Sequence, residues 1–273
     1  MDVSQILSPL NDVQREAVAS ENPSMLVLAG AGSGKTRVLV HRIAWLIRAK
    51  GFSPQSIFAV TFTNKAAREM RNRIEDILAQ PTQGMWVGTF HGLAHRLLKQ
   101  HWREAGLMEN FQILDSDDQM RVVKRIIRGL DLDESRWPVK KAQWYINSQK
   151  DEGIRATEIE VPIGDLYVKT MTKIYLEYEQ ACIRSSLVDF AELLLKVVEL
   201  FRNNLDLLAH YRQRFRQILV DEFQDTNTIQ YLWLKVLSGS EVPVVAVGDD
   251  DQSIYGWRGA KIQNIQSFSE DFS

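Results

Sequence analysis

Eight consecutive residues, Ala29-Gly30-Ala31-Gly32-Ser33-Gly34-Lys35-Thr36, carry the densest chemistry in the chain. Glycines let backbone N–H groups turn inward around an anion, and the N-terminus of a following helix adds partial positive charge. Lys35 is placed to reach β- and γ-phosphates, and the Thr36 hydroxyl to ligate Mg²⁺. An apolar run (Met25 to Leu28) leads into the turn and a helix-like stretch (37–49) leaves it, the context that makes the G-x-x-x-x-G-K-T spacing a phosphate-binding loop. The first position is Ala29 rather than glycine, a side chain small enough to keep the turn.

A second set of polar residues closes later apolar runs. Asp221-Glu222 follows Gln217-Ile218-Leu219-Val220, the setting of a Walker B pair. Asp221 would hold the Mg²⁺ shell and Glu222 would orient and deprotonate an attacking water. Gln252 follows the last apolar run; it is either a contact to a γ-phosphate or a solvated loop amide. Asp249, Asp250 and Asp251 resemble metal ligands but read better as turn-shaping acids. Tyr255, Trp257 and Arg258 share a short Gly-bounded stretch, as core anchors or as stacking platforms for unpaired bases. Phe62, Phe90 and His91 end two further runs, and together these strand ends favour a track for a single strand of nucleic acid. Gln14, in Leu10-Asn11-Asp12-Val13-Gln14, is an exposed helical amide that could also pair with an adenine edge. The face Arg121, Lys124, Arg125, Arg128 reads as solvated.

Parallel strands must position these groups. Five short apolar runs, at 25–28, 57–60, 85–87, 217–220 and 243–247, lack alternation, as strands covered on both faces do. In open parallel sheets, ligands bind outside the carboxyl ends of strands, so motifs far apart in sequence converge on one edge. Between the third and fourth runs, helical periodicity dominates. Ser116-Asp117-Asp118-Gln119 and Ser186-Leu187-Val188-Asp189 read as capping boxes there. The expected architecture is therefore α/β: a parallel-sheet core from residues 1–90 and 215–273, with a mainly helical domain, 91–214, inserted.

Bulk properties exclude several classes. With a net charge of -2, any nucleic-acid surface must be a local patch. The single cysteine, Cys182, excludes an internal disulfide and fits a reducing, cytoplasmic setting. Met1 to Leu10 lacks the basic and apolar regions of a secretory signal, and no apolar run approaches the ~20 residues that span a bilayer.

Taken in order, Gln14, Ala29 to Thr36, Thr61-Phe62-Thr63-Asn64-Lys65-Ala66-Ala67, Gly88-Thr89-Phe90-His91, Val220-Asp221-Glu222-Phe223-Gln224-Asp225 and Gly248 to Arg258 resemble the motifs of UvrD/PcrA/Rep-type superfamily 1 DNA helicases, most closely the UvrD members. The resemblance implies a RecA-like P-loop NTPase core and ATP with Mg²⁺ as cofactors. It implies Gln14 reading adenine, Arg37 flanking the nucleotide, Lys35 and Thr36 on the phosphates and metal, Glu222 as base, and Gln252 coupling the γ-phosphate to DNA. Phe62, Thr63, Asn64, His91, Tyr255, Trp257 and Arg258 would contact single-stranded DNA. It further implies 3′–5′ movement, a role in DNA repair, and single-stranded DNA, duplex junctions and repair proteins as partners, with no membrane. Family members carry a second RecA-like domain with arginine fingers after the position of Ser273, so the sequence is expected to be an N-terminal fragment that binds ATP and DNA but turns over slowly.

Overall fold

The structure is a computed structural model and describes residues 3–249 and 262–272. The chain divides into two compact units, Met1–Leu93 with Phe201–Ser273, and Ala94–Leu200.

The first unit opens with α1 (Ser4–Leu7) and α2 (Asp12–Ala19), followed by β1 (Met25–Leu28), α3 (Lys35–Arg48), β2 (Ile57–Thr61), α4 (Asn64–Leu78) and β3 (Trp86–Thr89). Helix α5 (Phe90–Gln100) leads out into the second unit. The second unit holds β4 (Gln112–Leu114), α6 (Ser116–Gly129), α7 (Val139–Asp151), α8 (Leu166–Ser185) and β5 (Leu187–Asp189), and α9 (Phe190–Asn203) leads back. The first unit then resumes with α10 (Leu205–Arg214), β6 (Gln217–Val220), α11 (Thr228–Ser238), β7 (Val244–Gly248) and α12 (Ile262–Asp271).

All five expected runs are strands of one parallel sheet, ordered β1-β7-β6-β2-β3. Alternate side chains sort to opposite faces. On one face Ala59, Val87, Leu219, Val245 and Val247 pack on Leu39, Ile43, Met70 and Ile74 of α3 and α4. On the other, the Phe58 ring meets Phe215 and Trp233 edge-on at 5.3 and 5.7 Å, and Trp86 meets Tyr211 and Phe215. Phe90 belongs to this second layer: it is 1% exposed, with its ring 5.9 Å from Trp233. Its reading as a stacking platform is therefore wrong; the strand end turns this ring inward.

Helices α6, α7 and α8 of the second unit share an apolar core around Val123, Ile127, Ala142, Ile146, Ile174 and Tyr175. Three expectations fail here. Strands β4 and β5 form a two-stranded parallel sheet that the helical reading missed. The cap of α6 is Asp115, whose side chain accepts the Asp118 N–H, so Ser116 is already helical. Ser186 ends α8 in the left-handed region (φ 53°) instead of starting α9; Asp189 caps α9 by accepting the Glu192 N–H at 2.7 Å.

Beside the apolar core lies a buried ionic one. Lys150 Nζ sits 2.7 Å from Asp189 Oδ2 and 2.8 Å from Glu192 Oε2. Tyr178 donates to the same Asp189 oxygen. All five N–H groups of the Arg155 guanidinium are used: they make five hydrogen bonds to Glu179, Glu192 and Glu199. Burial alone would raise the Glu192 pKa, but Lys150 and Arg155 more than reverse this and hold its carboxyl below the usual range. Burial likewise opposes charge on Lys150, and Asp189 and Glu192 outweigh it, raising the ammonium's pKa.

Candidate nucleotide site

The loop after β1 is held from below. Ala29 N–H donates to the Gly248 carbonyl at 3.1 Å, extending the β1–β7 ladder by one bond. Gly34 precedes α3 at φ 85°, a left-handed conformation that suits glycine. No side chain caps the first N–H groups of α3 at this N-cap, which keeps the helix terminus open to an anion. Lys35 Nζ donates to the Ala29 and Gly30 carbonyls at 2.6 and 2.9 Å and lies 3.6 Å from Asp249 Oδ2. Asp249 is 1% exposed. It is thus a buried partner of the phosphate-loop lysine, not the loop-shaping acid expected from sequence.

Helix α2 carries Gln14 to this loop. Asn11 caps the helix by accepting the Gln14 N–H, and Gln14 Oε1 accepts the Asn11 N–H in return. Gln14 Nε2 donates to the Ser33 carbonyl at 2.9 Å. One amide hydrogen and one oxygen lone pair remain for a ligand. The buried Arg42 fixes the helix, its Nη1 donating to the Val18 and Ser20 carbonyls. A Cβ at Gly34 would lie 2.6 Å from Gln14 Nε2. Gly34→Ala is therefore expected to cost about 1–2 kcal/mol of stability from the left-handed backbone and to displace Gln14 from Ser33. Urea melts read the first effect. A variant as stable as its parent would refute the backbone argument.

Across the sheet edge, the Thr36 hydroxyl donates to Asp221 Oδ2 at 3.1 Å, joining α3 to the end of β6. Asp221 is 2% exposed, and burial, then the Glu222 charge, pushes its carboxyl up to about 6. A hydroxyl and a desolvated carboxylate side by side make an oxygen donor pair suited to a hard divalent cation. Glu222 leaves the strand in the left-handed region, φ 51°. A backbone kink after β6 therefore sets the direction of Glu222 relative to Asp221. Gln224, part of the same motif but given no role from sequence, donates from Nε2 to Glu222 Oε2 at 2.6 Å.

Phe62, Thr63 and Asn64 follow β2 and His91 follows β3, neighbours in register at Thr61 and Thr89. They occupy the opposite end of the same sheet edge from β1. Phe62 is half-buried against Phe90, rings 5.3 Å apart. Thr63 caps α4, accepting the Ala66 N–H at 3.1 Å, and Asn64 is exposed. Burial lowers the His91 imidazole below its ordinary range. Arg37 is exposed and lines a cleft between α3 and α4 with Val40, His41, Arg73, Asp76 and Ile77. Gln252, Tyr255, Trp257 and Arg258 lie outside the described residues.

Comparison with known proteins agrees with this layout. The chain is 61% identical over 272 residues to DNA helicase II of Salmonella typhimurium and 60% identical to that of Escherichia coli. It is 41% identical over 269 residues to the ATP-dependent DNA helicase PcrA of Bacillus subtilis. These alignments cover 98–100% of the chain but only 36–38% of each relative. Residues 10–273 match the family described as the UvrD/REP helicase N-terminal domain. With a match of that extent over a parallel sheet bearing a phosphate loop, the chain belongs to the UvrD/REP helicase N-terminal domain family.

Proposed function

We propose that this chain is the nucleotide-binding portion of an ATP-dependent 3′–5′ DNA helicase that acts in repair. The observation that carries the proposal is the Thr36–Asp221 hydrogen bond, which brings the phosphate loop and the acid pair, 185 residues apart, into one site. Lys35 and the loop backbone bind the β- and γ-phosphates. Thr36 and Asp221 hold Mg²⁺, which neutralises charge on the phosphates. Glu222 takes the proton from the attacking water. Gln14 pairs with adenine, and Arg37 flanks the nucleotide. Phe62, Thr63, Asn64 and His91 bind single-stranded DNA by stacking and polar contacts, joined by Tyr255, Trp257 and Arg258, with Gln252 linking the two ligands. The sheet domain comprises Met1–Leu93 and Phe201–Ser273, and the helical domain Ala94–Leu200. Duplex junctions and repair proteins are partners of the whole protein, which works in the cytoplasm. Among the described residues no helix is long and apolar enough to cross a membrane.

A second reading, binding without rapid turnover by residues 1–273 alone, is favoured by the placement of Arg37 in the α3–α4 cleft. An arginine finger aimed at the γ-phosphate is worth ~10³–10⁵ in rate. A steady-state ATPase assay with saturating single-stranded DNA decides: robust stimulated hydrolysis by residues 1–273 eliminates this second reading.

Lys35→Ala tests the site itself. It removes the mobile cation and its charge-assisted hydrogen bonds, so Mg·ATP affinity is expected to fall roughly 10- to 100-fold. Titration with a fluorescent ATP analogue measures it. Unchanged affinity would mean that the nucleotide binds elsewhere.

A further inference from the structure

We infer that Gln224 is a positioning residue that fixes the Glu222 carboxylate against the backbone at the end of β7. The inference rests on the reading of Glu222 as the base and goes beyond it.

The Gln224 amide bridges two strand ends. Its Nε2 donates to Glu222 Oε2 at 2.6 Å, and its Oε1 accepts the Asp249 N–H at 2.9 Å. A carboxylate only accepts and a backbone N–H only donates, so the two partners dictate which end of the amide is oxygen and which is nitrogen. An amide offers both at once, a donor and an acceptor on separate atoms. The side chain is 3% exposed, which shields both bonds from competition by water. Gly248 leaves room for it: a Cβ there would lie 2.9 Å from Gln224 Oε1.

Glu222 needs such a brace. It sits past the end of β6 on a left-handed backbone, where no ladder holds it. A general base works only within hydrogen-bond reach of the proton it abstracts, and an error of about 1 Å can cost ~10²-fold in rate. Asp249 in turn faces Lys35 at 3.6 Å. The Gln224 bridge therefore sets the base in a fixed relation to the lysine that holds the phosphates.

The test is kcat and Kd for Mg·ATP in the full protein, for Gln224→Ala, Gln224→Glu, Gly248→Ala, Glu222→Gln and the double variant Glu222→Gln with Gln224→Ala. Gln224→Glu keeps the acceptor for Asp249 N–H but replaces the donor to Glu222 with a like charge. Gly248→Ala crowds the amide without changing it. The expected result is a kcat roughly 10- to 100-fold lower for both Gln224 variants, with Kd within about twofold of the parent. Gly248→Ala should shift kcat in the same direction, and the double variant should be no slower than Glu222→Gln alone. Retention of full kcat by Gln224→Glu, with Glu222→Gln inactive, overturns this inference and spares the base. A matching loss of kcat and Kd also overturns it, since that marks a merely structural role. Full turnover by Glu222→Gln overturns the reading of the base and the inference with it.

Discussion

Glu222→Gln is expected to lower ATP turnover by the full protein about 10²- to 10⁴-fold, the contribution of a positioned general base, while leaving Mg·ATP affinity unchanged. The substitution is nearly isosteric. The new amide still offers an oxygen to Gln224 Nε2, which lies 2.6 Å from the present carboxylate. It also leaves intact the Thr36–Asp221 bond proposed to receive Mg²⁺. What disappears is the lone pair basic enough to take a proton from water. Single-turnover hydrolysis and equilibrium binding separate the two effects. A variant that hydrolyses at the parent's rate would show that the base is another group, and one that no longer binds would show that Glu222 shapes the pocket.

Lys150→Met is expected to cost the helical unit about 3–5 kcal/mol, because removing one partner of a buried pair strands the other. Lys150 and Asp189 are each only 2% exposed, and Glu192 is buried beside them. Domain stabilities are commonly ~5–15 kcal/mol, so such a loss is a large fraction of the whole. The effect also has a sign in pH. In the parent, the depressed Glu192 pKa contributes stability above the ordinary carboxylate range, and this is lost as pH falls through the folded value. In the variant one buried cation fewer faces these carboxylates, with Arg155 still on Glu192, so their ionised forms cost more and the deficit relative to the parent should shrink as pH falls from 7 towards 4. Urea melts across that range check both points. A deficit under about 1 kcal/mol, or one independent of pH, would refute the view that this pair sustains the unit.

Features resting on neighbours in sequence were legible before the structure. Met25–Leu28 followed by a glycine-rich turn and Lys35-Thr36 needs no tertiary information, and the same holds for the other four strands. Features resting on partners supplied by the sheet were not. Gln224 meets Asp249 only because β6 and β7 pair in register, Ile218 beside Val244. Asp249 reads as a loop acid until the β1–β7 pairing places it next to Lys35. Lys150 and Asp189 come from a helix and a strand 39 residues apart. Strands β4 and β5 span three residues each, too few for any period to show. Phe90 follows Phe62 in being an aromatic at a strand end, yet one is sealed by Trp233 and the other half-open, a difference of packing that spacing does not encode.

The sheet order has a consequence for how the chain acquires its structure. Strand β1 pairs with β7, Met25 beside Val245, and β2 pairs with β6 across the whole helical unit, Ile57 beside Gln217. The strand that supports the phosphate loop therefore waits for the last strand of the described residues to be synthesised, and closing so long a loop precedes any gain from the pairing. Such non-local parallel pairing is slow and leaves strand edges exposed in the meantime. On the ribosome, the helical unit emerges complete while β1, β2 and β3 still lack β6 and β7. The phosphate loop, whose Ala29 N–H bonds the Gly248 carbonyl, therefore gains this support only late in assembly.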